Sequence, residues 1–164
     1  MDYDFANRPR KRVSQSRAEQ VHIITPADVN AGYTLFGGLL MQWIDIVAGV
    51  VARRHSECEI RTAAVDHLDF IAPAYINDIV TIAGRVTFVG TTSMEVCVDT
   101  YVERMGNLKE KLHVNRAYLT MVAIDSDGKP TMVPELICES EAEQADYEAG
   151  MQRRALRKRT QLYQ

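Results

Sequence analysis

The feature that most constrains the fold is a long apolar segment that carries a single carboxylate. Residues 35–52 include three glycines and one acidic residue, Asp45, among leucine, isoleucine, valine, methionine and tryptophan. From residue 37 to residue 55 the large apolar side chains recur every three or four positions, which predicts a helix. Because almost its whole circumference is apolar, such a helix is expected to pack inside other elements. An unpaired carboxylate buried there would be costly, so Asp45 requires an explanation.

The stretches around this helix have the character of β-strands. We predict strands over residues 19–25, 60–71, 79–89, 93–103 and 113–124, each bounded by glycine, proline or a polar turn. Apolar and polar residues alternate most cleanly over residues 93–103, as expected for a strand with two different faces. Because the connections between the later strands are short, the sheet should be antiparallel. The sequence therefore predicts an α+β fold in which a curved antiparallel sheet wraps around a central helix.

The two ends of the chain differ in composition from the middle. Residues 1–16 are polar and basic, which predicts a flexible arm, and residues 17–134 form the predicted domain. Residues 135–164 are acidic first and basic afterwards, a polarity that matches a helix dipole. We therefore predict a charged helical tail on the surface, with a break near Gly150.

Composition argues against several classes of partner. The net charge is only −3, so neither a nucleic-acid nor a membrane partner is expected. The apolar segment contains Gln42 and Asp45, which disfavours a membrane span. Three cysteines with no C-x-x-C pair fit a reduced, cytoplasmic protein, and no targeting segment is recognised. The four histidines form no ligand-like pair, so no metal site is predicted.

The helix entrance offers chemistry that could explain the carboxylate. Gly37 and Gly38 leave backbone N–H groups open at the positive end of the helix dipole, where they can hold an oxygen that becomes negative during a reaction. Asp45 lies two turns further along the same helix face and could act as a general base. The alternative is that Gln42, Asp45, Gly49 and Ala52 form only a narrow stripe that faces solvent.

Four motifs in order resemble the hotdog-fold acyl-CoA thioesterases, the acyl-CoA hydrolase family. They are PADVNAGYTLFGGLLMQWID, AVDHLDFIAP, GTTSMEV and YLTMVAIDSDGKP, and the resemblance extends from about residue 21 to residue 134. It implies that the chain hydrolyses acyl-CoA thioesters to a carboxylic acid and coenzyme A, without a metal or other cofactor. It also implies homodimers with sites at the dimer interface, and assembly into a hexamer as a trimer of dimers.

The resemblance assigns roles to individual residues. Asp45 would activate water, Asn30 would hold the water or the thioester, and a backbone N–H at Gly37 or Gly38 would polarise the carbonyl. The turn Gly90, Thr91, Thr92 and Ser93 would run along coenzyme A. In the resembling enzymes Asn30 and Asp45 of one site come from different subunits. Many relatives have glycine where this chain has Tyr33, so the chain departs from the family pattern in the loop that carries Asn30.

Two alternative functions are compatible with the same fold. A hotdog dehydratase or hydratase usually brings a histidine to the helix region, and none occurs between residues 29 and 54. A non-catalytic sensor of acyl-CoA would have no reason to keep a carboxylate on an apolar helix. A thiol-release assay on a panel of acyl-CoAs separates both from a hydrolase.

Overall fold

The computed structural model describes residues 3–161, which form strands and helices over most of their length. The elements are β1 (Arg10–Arg12), β2 (Ala18–Ile23), α1 (Gly37–Ser56), β3 (Glu59–Phe70), β4 (Ile79–Val89), β5 (Ser93–Arg104), β6 (Asn107–Ile124), β7 (Glu135–Ile137) and α2 (Glu141–Gln161). None of the helices within this range combines the length and the apolar character needed to cross a membrane.

The main sheet has the order β2-β4-β5-β6-β3, and every neighbouring pair is antiparallel. Helix α1 contacts all five of these strands, so the sheet curls around it. The helix and the sheet come close together at Gly84, where an added Cβ would lie 2.8 Å from a methyl carbon of Val47. The predicted curved antiparallel sheet around a central helix is confirmed.

Only one face of α1 is covered within a single chain. Leu40, Trp43, Ile44, Val47 and Val51 are buried against the inward side chains of the sheet. The opposite face is exposed, although it is also largely apolar. The expectation that the helix is enclosed on all sides is therefore wrong for one chain, because a single curled sheet reaches around only part of a helix.

The end of α1 sets the position of β3. Glu57 caps the helix in the left-handed conformation, with φ 57°, and β3 begins two residues later. Lys11 donates hydrogen bonds from Nζ to the carbonyl of Arg54, at 2.6 Å, and to the carboxylate of Glu57, at 2.6 Å. A cation at the C-terminal end of a helix is favourable. The chain thus turns back sharply, and β3 runs as an edge strand beside the helix that precedes it.

Helix α2 covers the outer face of the sheet through charged pairs. Glu95 is 2% exposed and accepts hydrogen bonds from Arg153 at 2.7 and 3.0 Å. Asp99, equally buried, accepts hydrogen bonds from Arg85 and Arg116 and lies 2.8 Å from Nε2 of His113. Although burial opposes ionisation, the two arginines hold the pKa of Asp99 below its usual value. The predicted surface helix is confirmed. Arg153 of the helix bonds to Glu95, and Arg85 of the sheet donates to Asp146 of the helix, so these two pairs fix α2 to the sheet.

The predicted break near Gly150 does not occur. Helix α2 is continuous from Glu141 to Gln161. A Cβ at Gly150 would lie 2.6 Å from Cβ of Phe88 and 2.8 Å from Oε1 of Glu95. The glycine therefore serves close packing of the helix on the sheet instead of a bend.

The ends of the chain meet beside the domain. Strand β1 pairs in parallel with β7, so Arg10 lies opposite Glu135 and Arg12 lies opposite Ile137. The sequence predicts a flexible arm over residues 1–16, whereas in the structure residues 10–12 are held by backbone pairing with β7. Residues 1–2 and 162–164 of the predicted arm and tail lie outside the described residues.

Candidate active site

Asp45 lies on the exposed face of α1 and is held by a residue of β3. The hydroxyl of Thr62 donates a hydrogen bond of 2.7 Å to Oδ1 of Asp45. The register of β3 against β6 shifts between Thr62 and Ala64, which marks a β-bulge. Bulges re-aim side chains and are common next to active sites. One carboxylate oxygen is thereby oriented by the strand, and the other is left for a further partner.

The surroundings of this carboxylate are apolar yet open. Met41 is 45% exposed, Ile46 is 42% exposed and Val50 is 37% exposed, so apolar side chains remain open to solvent on the part of α1 that carries Asp45. The predicted solvent stripe holds for Gln42 and Asp45, which are exposed, but not for Ala52, which is fully buried. Contiguous exposed apolar surface of this kind marks a site of interaction. In a single chain, then, the carboxylate faces solvent, and its apolar neighbours are left partly exposed.

The helix entrance presents backbone donors on the same face. Helix α1 begins at Gly37, and its N-cap residue Phe36 makes no capping hydrogen bond through its side chain. Leu39 and Leu40 donate their N–H groups to the carbonyl of Phe36. The N–H groups of Gly37 and Gly38 belong to the first turn and have no partner within the helix. Gly38 and Asp45 are both exposed, which agrees with the prediction that they lie on the same face of the helix.

A side chain at Gly38 would collide with its neighbour. An added Cβ would lie 2.7 Å from a ring carbon of Phe36, whereas at Gly37 the nearest atom would be a ring carbon of Phe70 at 3.5 Å. Glycine at position 38 therefore keeps both the Phe36 ring and the entrance N–H groups in place.

Asn30 organises the loop before the helix. Its Oδ1 accepts hydrogen bonds from the N–H of Gly32 at 2.8 Å and of Thr34 at 3.3 Å, and its Nδ2 donates to the hydroxyl of Thr34 at 3.1 Å. Tyr33 takes the left-handed conformation, with φ 59°. That conformation favours glycine, the residue that the family resemblance places at this position. The tyrosine keeps the backbone shape at some cost in strain.

Within one chain Asn30 and Asp45 have different partners. Asn30 bonds inside its own loop, whereas Asp45 bonds to Thr62 of β3. The structure therefore brings Asp45 and Gly38 onto one helix face and holds Asn30 on a separate loop. Their joint role in one site stays a prediction.

The predicted coenzyme A turn joins β4 to β5 and is framed by cations. It is closed by a hydrogen bond of 2.7 Å from the N–H of Gly90 to the carbonyl of Ser93. Arg8 donates to the carbonyl of Gly90 at 2.5 Å, and a Cβ added at that glycine would lie 2.9 Å from a guanidinium nitrogen of Arg154. A surface cavity of about 420 Å³ beside the turn is lined by these two arginines and Lys158. The basic arm and the charged tail thus both reach the turn.

Other chemistry in the described residues is limited. Burial raises the pKa of the Cys97 thiol to about 12, so this residue is a poor nucleophile at neutral pH. Among residues 3–161, no three histidine, cysteine, aspartate or glutamate side chains are grouped as a metal ion would require.

Sequence reasoning missed Thr62. In the sequence it is one small polar residue of a predicted strand, with no periodic signal to distinguish it. Its position in the chain was the one available signal. A strand that follows the helix directly runs back beside it, so a hydroxyl near the start of that strand can reach the helix. The bulge that aims Thr62 has no signature in the sequence.

Comparison with known proteins connects this geometry to one enzyme family. A family model described as the thioesterase superfamily matches residues 32–108. The chain is 39% identical to the uncharacterised acyl-CoA thioester hydrolase YkhA of Bacillus subtilis, over 88% of this chain and 83% of that protein. It is 35% identical to the cytosolic acyl coenzyme A thioester hydrolase of Rattus norvegicus, over 84% of this chain but only 36% of that protein. The chain thus spans about a third of the rat relative.

Solved structures show the same architecture. The acyl-CoA hydrolase of Staphylococcus aureus, in complex with butyryl coenzyme A and coenzyme A, is 34% identical, with a TM-score of 0.88 over 94% of each chain. An apo-hexameric acyl-CoA thioesterase is also 34% identical, with a TM-score of 0.88 over 93% of this chain and 97% of that one.

Further structures of the Staphylococcus aureus enzyme carry single alanine replacements. One replaces an asparagine, one an aspartate and one a threonine. The replaced positions have the same separations in sequence as Asn30, Asp45 and Thr62, which are 15 and 17 positions apart.

Proposed function

This chain belongs to the hotdog-fold acyl-CoA thioester hydrolases, which convert acyl-CoA thioesters to a carboxylic acid and coenzyme A, and we propose that its reaction uses water activated by Asp45. The oxygen of that water attacks the thioester carbonyl carbon while the Asp45 carboxylate accepts its proton. The carbonyl oxygen becomes negative and is held by the N–H groups of Gly37 and Gly38. Collapse of the intermediate breaks the C–S bond, and the departing thiolate of coenzyme A takes up the proton.

The observation that carries this proposal is the hydrogen bond between Thr62 and Asp45. It holds one oxygen of a carboxylate in place on the helix face that begins at the glycine pair. The matching separations of the replaced residues in the Staphylococcus aureus enzyme support the choice of Asn30, Asp45 and Thr62. A general base requires a fixed geometry before it requires a tuned pKa, and this hydrogen bond provides it.

The second half of the site would come from a second subunit. The exposed apolar residues around Asp45 and the twelve-residue edge strand β3 are features that association would cover. We place Asn30 of one subunit against Asp45 of the other in an isologous dimer. The apo-hexameric relative supports a trimer of such dimers.

The cationic turn would hold the coenzyme A part of the substrate. Thr91, Thr92 and Ser93 are partly exposed, and Arg8, Arg154 and Lys158 line the cavity beside them. Phosphate groups are attracted by arginine and lysine in such a position. This would give the basic arm and the charged tail a common purpose.

The proposed reaction needs neither a metal nor a redox cofactor, because a thioester is already a reactive acyl donor. We further propose a cytoplasmic location without a nucleic-acid or membrane partner. The rat relative, named as cytosolic, supports the location.

A thiol-release assay with a panel of acyl-CoAs tests the activity, and Asp45→Asn tests the base. The swap is nearly isosteric, so the fold should survive while kcat falls by roughly 10²–10⁴ and KM changes little. Glu57→Gln is the matched control, since it neutralises an exposed carboxylate at the other end of α1. An Asp45→Asn variant that keeps half of the wild-type rate would refute the role of Asp45 as the general base. A wild type that binds acyl-CoA without releasing thiol would be a sensor.

Co-expression of two inactive variants tests the shared site. Asn30→Ala and Asp45→Asn each damage both sites of a homodimer. In a mixed dimer one site carries both lesions and the other carries none. With random pairing about half of the dimers are mixed, so activity should recover to roughly a quarter of wild type. Mixed dimers with no activity above the separate variants would show that both residues act within one subunit.

A further inference from the structure

A second cavity lies at the entrance of α1. It has a volume of about 270 Å³, and its wall includes Leu35 of the loop before the helix and Leu40 of the first helical turn. Phe70 also belongs to the wall, and a ring carbon of Phe70 lies 3.5 Å from the position of a Cβ added at Gly37. The cavity therefore starts at the end of α1 whose N–H groups would hold the thioester oxygen.

The side chains that line this cavity differ in exposure from one end to the other. Phe70 is 56% exposed and Ile71 is 60% exposed, so they mark an open mouth. Leu40, at 4% exposed, and Val80 and Val102, both at 0%, mark the interior. Val80 and Val102 are direct partners in the β4–β5 register, so their side chains lie together on one face of the sheet. The cavity thus leads from solvent to an apolar interior between helix and sheet.

Val102 separates this cavity from a third one. The third cavity has a volume of about 310 Å³ and lies at the base of the β5–β6 hairpin, where its lining residues are Val102, Arg104, Asn107, Glu110 and Leu112. Val102 is the residue that the two linings share. Three of the other four residues in the third cavity are polar or charged, and covering such groups with an alkyl chain costs free energy. The apolar path from the helix entrance therefore ends at Val102.

We propose that Val102 limits the length of the acyl chain, so that the protein prefers acyl-CoAs with up to about eight carbons in the acyl group. The carbonyl lies at the helix entrance, and the alkyl part extends inward past Leu40 to Val102. A water molecule occupies about 30 Å³ and a methylene group needs similar room, so a cavity of about 270 Å³ holds at most about nine such groups. The limit rests on the proposed hydrolase function and adds a substrate class to it.

The test measures thiol release by the full-length protein from acyl-CoAs of 2, 4, 6, 8, 12 and 16 acyl carbons (about the range over which the limit must show), each kept below the concentration at which it forms micelles. Each carbon that enters the cavity should raise wild-type kcat/KM by up to about fourfold, so the values should climb towards octanoyl-CoA. Hexadecanoyl-CoA should then be hydrolysed with a kcat/KM at least roughly tenfold below that of octanoyl-CoA, because its chain would have to pass Val102.

Two substitutions at Val102 should move the limit in opposite directions. Val102→Ala opens the cavity towards the third one, so the kcat/KM ratio of dodecanoyl-CoA to hexanoyl-CoA should rise at least about fivefold. Val102→Ile adds one methylene group to the inner end, so the ratio of octanoyl-CoA to butyryl-CoA should fall at least about threefold.

Val98→Ala and Val98→Ile are the matched controls. Val98 lies on the same strand and is also 0% exposed. It pairs with Gly84 in the regular β4–β5 register and so shares the face of Val102, but it lies about 13 Å further along the strand. These variants should lose stability as the Val102 variants do while keeping the wild-type order of substrates.

The outcomes separate the chain-length limit from the hydrolase function. If no acyl-CoA of any length releases thiol, the proposed hydrolase function fails, and the limit fails with it. If wild type hydrolyses hexadecanoyl-CoA as efficiently as octanoyl-CoA, the limit is refuted and the hydrolase stands, with the acyl chain lying elsewhere. Equal shifts in the Val98 and Val102 variants would also refute it, because they would reflect a loosened core. Should Val102→Ala fail to fold, an unchanged preference in Val102→Ile would refute the role of Val102.

Discussion

If Thr62 acts by holding Asp45, its removal should be costly only while Asp45 is present. Thr62→Val keeps the β-branched shape of an edge-strand residue and deletes the 2.7 Å hydrogen bond to Oδ1. A hydrogen bond to a charged group is worth about 1.5–3 kcal/mol, and because both residues are exposed in one chain the lower end applies. The loss should therefore lower kcat about tenfold, with KM nearly unchanged.

A double-mutant cycle distinguishes this role from a structural one. In an Asp45→Asn background there is no base left to position, so adding Thr62→Val should cost less than twofold in kcat. Thr62→Ser restores the hydroxyl and should recover most of the wild-type rate. The measurements are steady-state thiol release on one acyl-CoA and urea unfolding of every variant.

Two results would refute this reasoning. If Thr62→Val lowers kcat by the same factor with and without Asp45, then Thr62 acts independently of the carboxylate. If Thr62→Val keeps the wild-type kcat, the hydrogen bond does not position the base. A parallel fall in the free energy of unfolding and in kcat, which Thr62→Ser does not reverse, would indicate a structural role.

Three further predictions concern the helices and pH. Gly38→Ala should lower kcat at least tenfold, because its methyl group would displace the Phe36 ring beside the entrance N–H groups. Gly49→Ala is the control, since its methyl group would meet open space in the same helix. It should leave kcat unchanged and raise the free energy of unfolding by about 0.5–1 kcal/mol. Gly150→Ala should lower the free energy of unfolding by about 1–3 kcal/mol, since its Cβ would lie 2.6 Å from a Cβ of the sheet. Burial holds the pKa of His55 below 6.5, so the folded state binds its proton less readily than the unfolded chain. Stability should therefore fall as pH drops below about 6.5, and His55→Gln should flatten that dependence.

Steady-state kinetics test the prediction for Gly38→Ala. Urea unfolding at pH 7 tests the prediction for Gly150→Ala, and urea unfolding over pH 5–8 tests the prediction for His55→Gln. Equal rates for Gly38→Ala and Gly49→Ala would contradict the first. A Gly150→Ala variant as stable as wild type would mean that α2 shifts without cost. A slope of stability against pH that His55→Gln leaves unchanged would assign the dependence to other groups.

The sequence predicted those elements whose pattern is set by burial within one chain. The four long strands and α1 have periodic apolar residues, because the sheet covers one face of the helix. These elements could therefore be predicted from the sequence. Strand β6 begins at Asn107 instead of residue 113, because its first residues are polar on a hairpin that leaves the core. Strands β1 and β7 are only three residues long, which is too short for a periodic pattern. Each forms by pairing with the other, and the two are far apart in the sequence.

The candidate site was predicted to a lesser extent. Asp45 stood out because a carboxylate in an apolar segment breaks the helix pattern, and the glycine pair marked the entrance. Thr62 did not stand out, because a bulge is a local backbone choice that many sequences can make. Tyr33 was noticed only as a departure from the family pattern, and its left-handed backbone could not be predicted from the residue itself.

The exposure of Asp45 in one chain explains how an ionised base can sit on an apolar helix. A folding chain meets no desolvation penalty there, because the carboxylate faces water and Thr62 holds it. In the proposed dimer a second subunit covers Met41, Ile46 and Val50, and burial of those apolar side chains would offset the cost of covering the charge. The apolar neighbours of the carboxylate would thus stabilise the proposed assembly that completes the site.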